Sequence, residues 1–479
     1  MFKNILWGAG IVSLFTVASC DKIKDFKDTN VDQNQTANPI PSALLTNVES
    51  LMGGNLGFDG GGINTGSGLY AQYYSETQYT EVSRYNKPNY NYDNYYAGAL
   101  EDLQNIIDYN SDPATAEAAA AFGSNNNQIA IARILKAHYV KFLTDAVGDL
   151  PYFDAFKGRS GAITVKYDAQ QAIYTDLLKE LKEAVEQFDN VGLPIQGDII
   201  FGGDVSKWKK YANSLRMLIA LNMRKVDAST GQSEFNDALN NAAGVIQDNS
   251  DNVAIAFPGG SFPSPIYNYY VIVARLDFAV SETMTDQLSS TNDPRINVFG
   301  TSAKGFPYGL TRDDAVAFAG ANSDWAHILN DPFNQTTATW TLLSASNIDL
   351  ARAEAAQLGW TSEDAATLFK NGIQANFDQW GLGSADSYVT ALGAPDDTKI
   401  ATQEWLAFYP NGLEGWDVYR RTGVPNLTPA PDQANPIPRR ATYGTNDYSY
   451  NASNVKVAAA NYTVNGQPDS QWGRIWWDK

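Results

Sequence analysis

Along much of the chain apolar residues recur every three or four positions, the spacing that lines one face of an α-helix. Between Asp168 and Asp189 the stripe is Ile173, Leu177, Leu178, Leu181, Ala184, Val185 and Phe188, with lysines and glutamates opposite. Between Asp204 and Val226 it is Trp208, Tyr211, Leu215, Leu218 and Ile219. Asp204 or Ser206 stands there where an N-cap accepts the free amides of a first turn. Gln128 to Ala146 carries a third stripe, built on Ile131, Ile134, Leu135, Tyr139, Phe142 and Leu143. The same reading places helices at 41–53, 94–109, 165–189, 232–248, 277–289, 344–358, 362–379 and 398–409. Helix pairs of this length joined by short turns are the unit of tetratricopeptide-type stacks, although the strict repeat signature is absent. The pattern predicts a mainly α fold with such pairs as its scaffold.

Three stretches break the period. LGFDGGGINTGSG (Leu56–Gly68) is glycine-rich, lacks the Lys-Ser/Thr ending of a phosphate loop and follows no clear strand, so it reads as a flexible loop. FPGGSFPSPIYNYY (Phe257–Tyr270) is rich in proline, glycine and tyrosine and reads as non-helical. Phe299 to Thr341 shows little period, and loops of that length inside a compact body are usually functional. Past Arg421 the chain is proline-rich and ends in QWGRIWWDK, whose tryptophans are expected to pin the C-terminus to the body.

At the other end, Lys3 precedes an apolar run from about Ile5 to Val17, shorter than the ~20 residues of a membrane-spanning helix. Val17-Ala18-Ser19 then leads into Cys20, the only cysteine in 479 residues. That is a secretory leader ending in a lipobox. Residues 1–19 are expected to be removed as a signal peptide and Cys20 to carry lipid. Residues 20–40 are polar and serve as a tether, and 41–479 form a single domain. An acylated Cys20 leaves no thiol for a disulfide or a cysteine-based metal site, so packing alone must hold the fold.

Charge and composition narrow the ligand. The formal net charge is −19, and losing Lys3 with the leader makes the remainder more acidic still. Nucleic acid and anionic headgroups need a basic face and are disfavoured. The only histidines are His138 and His327, too few for a multi-histidine metal centre and a poor basis for a catalytic triad. No cofactor or metal is expected. Aromatic residues make up 12% of the chain, 26 Tyr, 21 Phe and 11 Trp, enough to fill a core and still leave rings as stacking platforms for an uncharged ligand.

Four blocks then occur in order. FLTDAVGDLPYFDAF (Phe142–Phe156) ends a helix with GD-x-PY. KWKKYANSLRMLIALNMRKV (Lys207–Val226) carries W-x(3)-A-N-S-L-R. DLARAEAAQLGW (Asp349–Trp360) and EWLAFYPNGLEGWDVYRRTGVP (Glu404–Pro425) follow, with NDPR (Asn292–Arg295) and the terminal WWDK. With the lipobox, the set resembles the SusD/RagB family of outer-membrane lipoproteins, in its SusD-like branch. The resemblance implies a helical fold of tetratricopeptide-like pairs, display at the cell surface and a SusC-like TonB-dependent transporter as partner. It also implies capture of oligosaccharides, or of peptides in some members, with no catalytic activity. The blocks themselves read as scaffold. Arg420 and Arg421 are placed to pair with carboxylates such as Glu414 and Asp417. Asp145 and Asp149 read as structural, since nothing marks them as an acid/base pair; a surface glycoside hydrolase is disfavoured for the same reason. His138 and Tyr95 read as scaffold and core.

A saccharide presents C–H faces that stack on rings and hydroxyls that need planar partners, and such groups belong in irregular segments. YYSETQYTEVSRYNKPNY (Tyr73–Tyr90) offers Tyr73, Tyr79, Arg84 and Tyr85. The 299–341 stretch offers Tyr308, Arg312, Asp313, Trp325, Asn330 and Phe333, and the 257–270 stretch offers Tyr267, with Tyr269 and Tyr270. Trp325 heads the candidates because it is a lone tryptophan in a polar, aperiodic run.

Overall fold

In the computed structural model the described residues are 39–157 and 164–479. The leader, Cys20 and most of the tether lie outside them. Residues Pro41–Lys479 form one compact unit.

The helical pattern carries through. Glu101–Ser111, Asn125–Val147, Gln170–Gln187, Val205–Asn222 and Ala228–Leu239 each pack against the next. The stripe from Ile173 to Val185 is buried as its period requires. Asp204, not Ser206, caps its helix, accepting from the amides of Ser206 and Lys207. A second run comprises Ala345–Gln357, Ala365–Gln379, Asp397–Phe408 and Gly412–Thr422. Trp477 is fully buried, so the C-terminus is pinned as expected.

Several boundaries are corrected. The helix expected at 232–248 runs instead over Ala228–Leu239, and the chain beyond it turns through Gly244 at φ +77°. The one expected from 277 begins at Glu282, since Phe278–Val280 is a strand and Ser281 caps the helix through Met284 N. The aperiodic 299–341 span contains the helix Arg312–Ala321 and opens the strand Thr339–Leu343. The 257–270 stretch contains a helical turn, Pro265–Tyr267, with proline in its first turn, where its missing N–H costs nothing.

The largest correction concerns the glycine-rich stretch. It opens in a π-type turn, Gly53–Gly57, and closes in the helix Ile63–Tyr70, every residue of which is buried. Its glycines serve packing. A methyl on Gly412 would lie 2.2 Å from the Asn64 carbonyl oxygen and 2.6 Å from Gly68 Cα, so this helix and Gly412–Thr422 touch backbone to backbone.

Strands are short and pair in two antiparallel ladders. Tyr74–Glu76 pairs with Phe278–Val280, and Val253–Ala256 pairs with Thr339–Leu343. They tie distant irregular segments to the helical frame.

Much of the buried charge in the frame is paired. Lys141 Nζ lies 2.9 Å from Asp145, 2.8 Å from Glu414 and 3.4 Å from Asp417. Burial opposes its charge, but the three carboxylates outweigh that and hold its pKa well above a free lysine's. Arg420 pairs with Asp417, and Arg421 bridges Glu354 (2.7 Å) and Glu404 (2.8 Å). Glu414 therefore serves Lys141 and not the arginines. Asp145 also accepts from Trp477 Nε1 at 2.9 Å, and Asp149 from the Gln170 amide at 3.0 Å. His138 is buried, its Nδ1 paired with the Tyr211 hydroxyl.

Candidate functional site

Three irregular segments meet around a cleft of about 490 Å³. The first is the π-type turn Gly53–Gly57 and the loop after it. The second is the stretch from Tyr90 to Tyr95, and the third is the turn from Pro265 to Tyr269. Together they supply edges of the buried rings of Phe58, Tyr90, Tyr95 and Tyr269, none more than 8% exposed, and the side-chain amides of Asn55, Asn91, Asn94 and Asn268.

The rings are held from behind. The Tyr95 hydroxyl donates to the Asn55 carbonyl at 3.0 Å, and the Tyr269 hydroxyl donates to Asp277 Oδ2 at 2.9 Å. Phe58 packs edge-on to Tyr269 with centroids 5.2 Å apart. Asn91 Oδ1 accepts from the Asn446 amide at 3.1 Å. The exposed side chains of Asn94 and Asn268, by contrast, have no hydrogen-bond partner among the described residues. Their amides face solvent with both a donor and an acceptor free.

Asp59 is the one carboxylate lining the cleft. Its oxygens accept from the amides of Gly62 (2.9 Å), Asn64 (2.8 Å) and Thr65 (3.0 Å), fastening the start of the Ile63–Tyr70 helix. Burial raises its pKa, against the pull of those donors. Among the described residues no second carboxylate lines the cleft, so that lining offers planar hydrogen-bonding groups and ring edges and no acid/base pair.

Residues 33–444 match the family model for starch-binding proteins associating with the outer membrane, the SusD-like family. The chain belongs to that family. Among solved structures, a chitin-binding protein is 27% identical, with 91% of this chain and 99% of the other aligned at a TM-score of 0.74. A chitin-binding SusD homologue from Flavobacterium johnsoniae shares the fold at 24% identity, 92% and 98% coverage and a TM-score of 0.72. So does a SusD homologue from Bacteroides uniformis, at 21% identity, 92% and 100% coverage and a TM-score of 0.73. No curated protein matches.

This SusD-like chain distributes the sequence candidates unevenly. Tyr73 is fully buried, its ring against Trp405 and Tyr409. Tyr85 is buried, its hydroxyl accepting from the Ala430 amide at 2.9 Å, and Tyr308 is half-buried beside it. Arg84 lies alongside, donating to the Gly309 carbonyl at 2.7 Å. Trp325, expected to stand free, is only 7% exposed: it packs edge-on to Phe306 in a small satellite core with Ala279 and Ala315. Phe333 is half-buried against Trp380, and Asn330 donates to the Asn297 carbonyl at 3.0 Å. Aperiodic sequence had been read as exposed sequence, but these segments wrap and bury their own rings. Tyr267 is half-buried one residue from the cleft-lining Asn268. Tyr79 and Arg312 are exposed and meet each other, the guanidinium 5.2 Å from the ring centroid.

The sequence reading missed Asn55, Asn91, Asn94 and Asn268, and took Tyr95 as core only. One signal was present: NYNYDNYY and IYNYY repeat the same asparagine–tyrosine mixture in two distant irregular segments.

Proposed function

We propose that residues 41–479 act as a non-catalytic capture body for oligosaccharides, tethered to the cell surface by lipid on Cys20 after loss of residues 1–19. Its cargo passes to a SusC-like TonB-dependent transporter. The observation that carries this reading is the cleft whose mouth holds the unpartnered amides of Asn94 and Asn268, with only the edges of buried rings in its wall. A hydroxyl-rich, uncharged ligand suits it: its hydroxyls meet the amides and its C–H groups touch the ring edges. The chitin-binding relative favours N-acetylated sugars as the first ligands to try.

Calorimetry of the purified mature protein with chitin and starch oligosaccharides tests the reading. Asn94→Ala and Asn268→Ala should each weaken binding by about 1 kcal/mol, the net worth of a hydrogen bond, with the unfolding midpoint unchanged. No binding to any saccharide, together with co-purifying peptides, would turn the assignment to peptide capture. Shortened saccharide products would turn it to a hydrolase.

A further inference from the structure

We propose a second binding element beside the cleft, one that takes a carboxylated or sulfated sugar unit; it rests on the saccharide reading and narrows it. Tyr79 is 43% exposed. Two guanidinium groups lie over its ring, that of Arg312 at 5.2 Å and that of Arg275 at 5.9 Å from the centroid. The three residues come from three separate segments, so only the fold assembles them.

The two arginines differ. Arg275 is anchored: its Nε donates to Asp277 Oδ2 at 2.5 Å, and the same oxygen accepts from the hydroxyl of Tyr269 at 2.9 Å. Tyr269 is a wall of the cleft, so the cleft and the Tyr79 stack share one carboxylate. The Arg275 amide also donates to the Tyr269 carbonyl at 3.0 Å. Arg312 is exposed and has neither an ion pair nor a hydrogen bond among the described residues. Of its neighbours, Asp314 is taken up by the hydroxyl of Thr311 at 2.6 Å, and exposed Asp313 tempers the charge without pairing to it.

A guanidinium laid over a ring keeps its outward N–H groups free in the fork geometry that suits a carboxylate or sulfate. The exposed ring beneath offers a face for the sugar carrying that group. No lysine or arginine lines the cleft itself. A ligand that fills both places therefore has a neutral, hydroxyl-rich unit in the cleft and an acidic unit next to it. That describes a mixed acidic glycan, not a neutral homopolymer.

The probes are chitin hexasaccharide (neutral), hyaluronan hexasaccharide (carboxylate) and chondroitin sulfate hexasaccharide (carboxylate and sulfate), titrated calorimetrically at low salt. At least one acidic probe should bind about three- to tenfold more tightly than the neutral one; preference for hyaluronan identifies the carboxylate, and preference for chondroitin sulfate alone identifies the sulfate. Raising the salt to screen the contact should shrink that ratio, and Arg312→Gln should bring it to about one; Arg312 is exposed with no ion pair or hydrogen bond to lose among the described residues, so folding is retained. The proposal is overturned if neither acidic probe outbinds the neutral one, or if Arg312→Gln leaves the ratio intact. Neutral binding that is lost in the Asn94 and Asn268 variants, with no acidic preference, sinks this inference alone. Absence of binding by all three probes sinks the saccharide reading with it.

Discussion

The helical frame and the cleft rim use the same residue types in opposite ways. In the frame, Arg421 is buried between Glu354 and Glu404, and Arg295 is buried against Asp293 (2.6 Å) and Gln403 (2.6 Å). At the rim, Arg312, Asn94 and Asn268 are exposed and make no ion pair or side-chain hydrogen bond among the described residues, Arg312 resting only on the Tyr79 ring. Burying a charge without a partner costs several kcal/mol, and these two frame arginines arrive with their match. Exposed groups stay hydrated and bear no such cost, which leaves them available. What separates the scaffold from the proposed binding surface is the state of pairing, not the identity of the residue.

The comparison can be broken at its strongest point first. Lys141→Met leaves Asp145 and Glu414 without their cation, crowded against Asp417, which keeps only Arg420. It should cost about 3–5 kcal/mol of stability, read from urea unfolding. Trp325→Ala should cost about 3 kcal/mol for the cavity beside Phe306, with saccharide affinity unchanged in the folded fraction. Loss of affinity without loss of stability would return Trp325 to the binding surface.

Glu76 sharpens the contrast, because it lies between the two regimes. Its Oε2 accepts from the Ser83 amide (2.8 Å) and hydroxyl (2.7 Å), closing the loop that displays Tyr79. Burial raises its pKa to about 7, against the pull of those donors. The folded state then holds a proton that the unfolded chain has released, so this group's contribution falls as pH rises from about 4.5 to 7. Glu76→Gln should remove that slope and stabilise the protein above pH 7 by on the order of 2 kcal/mol, measured as the difference in thermal midpoint between pH 5 and pH 8. Smallest of all are the losses of about 1 kcal/mol in affinity at Asn94 and Asn268, with no change in stability.

The frame was legible in the sequence because a half-buried helix writes its burial as a stripe, as from Ile173 to Val185. Ile63–Tyr70 escaped notice because it is buried on every side, and a helix with no wet face has no stripe. The family blocks were legible as scaffold, but the partner of Glu414 was not, since Lys141 lies far from it along the chain. The cleft was harder still. Asn55, Asn94 and Asn268 meet only after folding, and their spacing carries no period. Trp325 marks the limit in the other direction: polar neighbours in sequence said nothing about the apolar neighbours it gains in space.

The seam between Gly68 and Gly412 has a mechanical side. The loop that floors the cleft runs straight into the Ile63–Tyr70 helix, and that helix is seated on Gly412–Thr422 with no room for a single methyl group. Tension on a bound chain is therefore delivered to the interior of the molecule and not to a compliant strap. Were a ligand drawn out of the cleft, the floor and the body behind it would move as one piece.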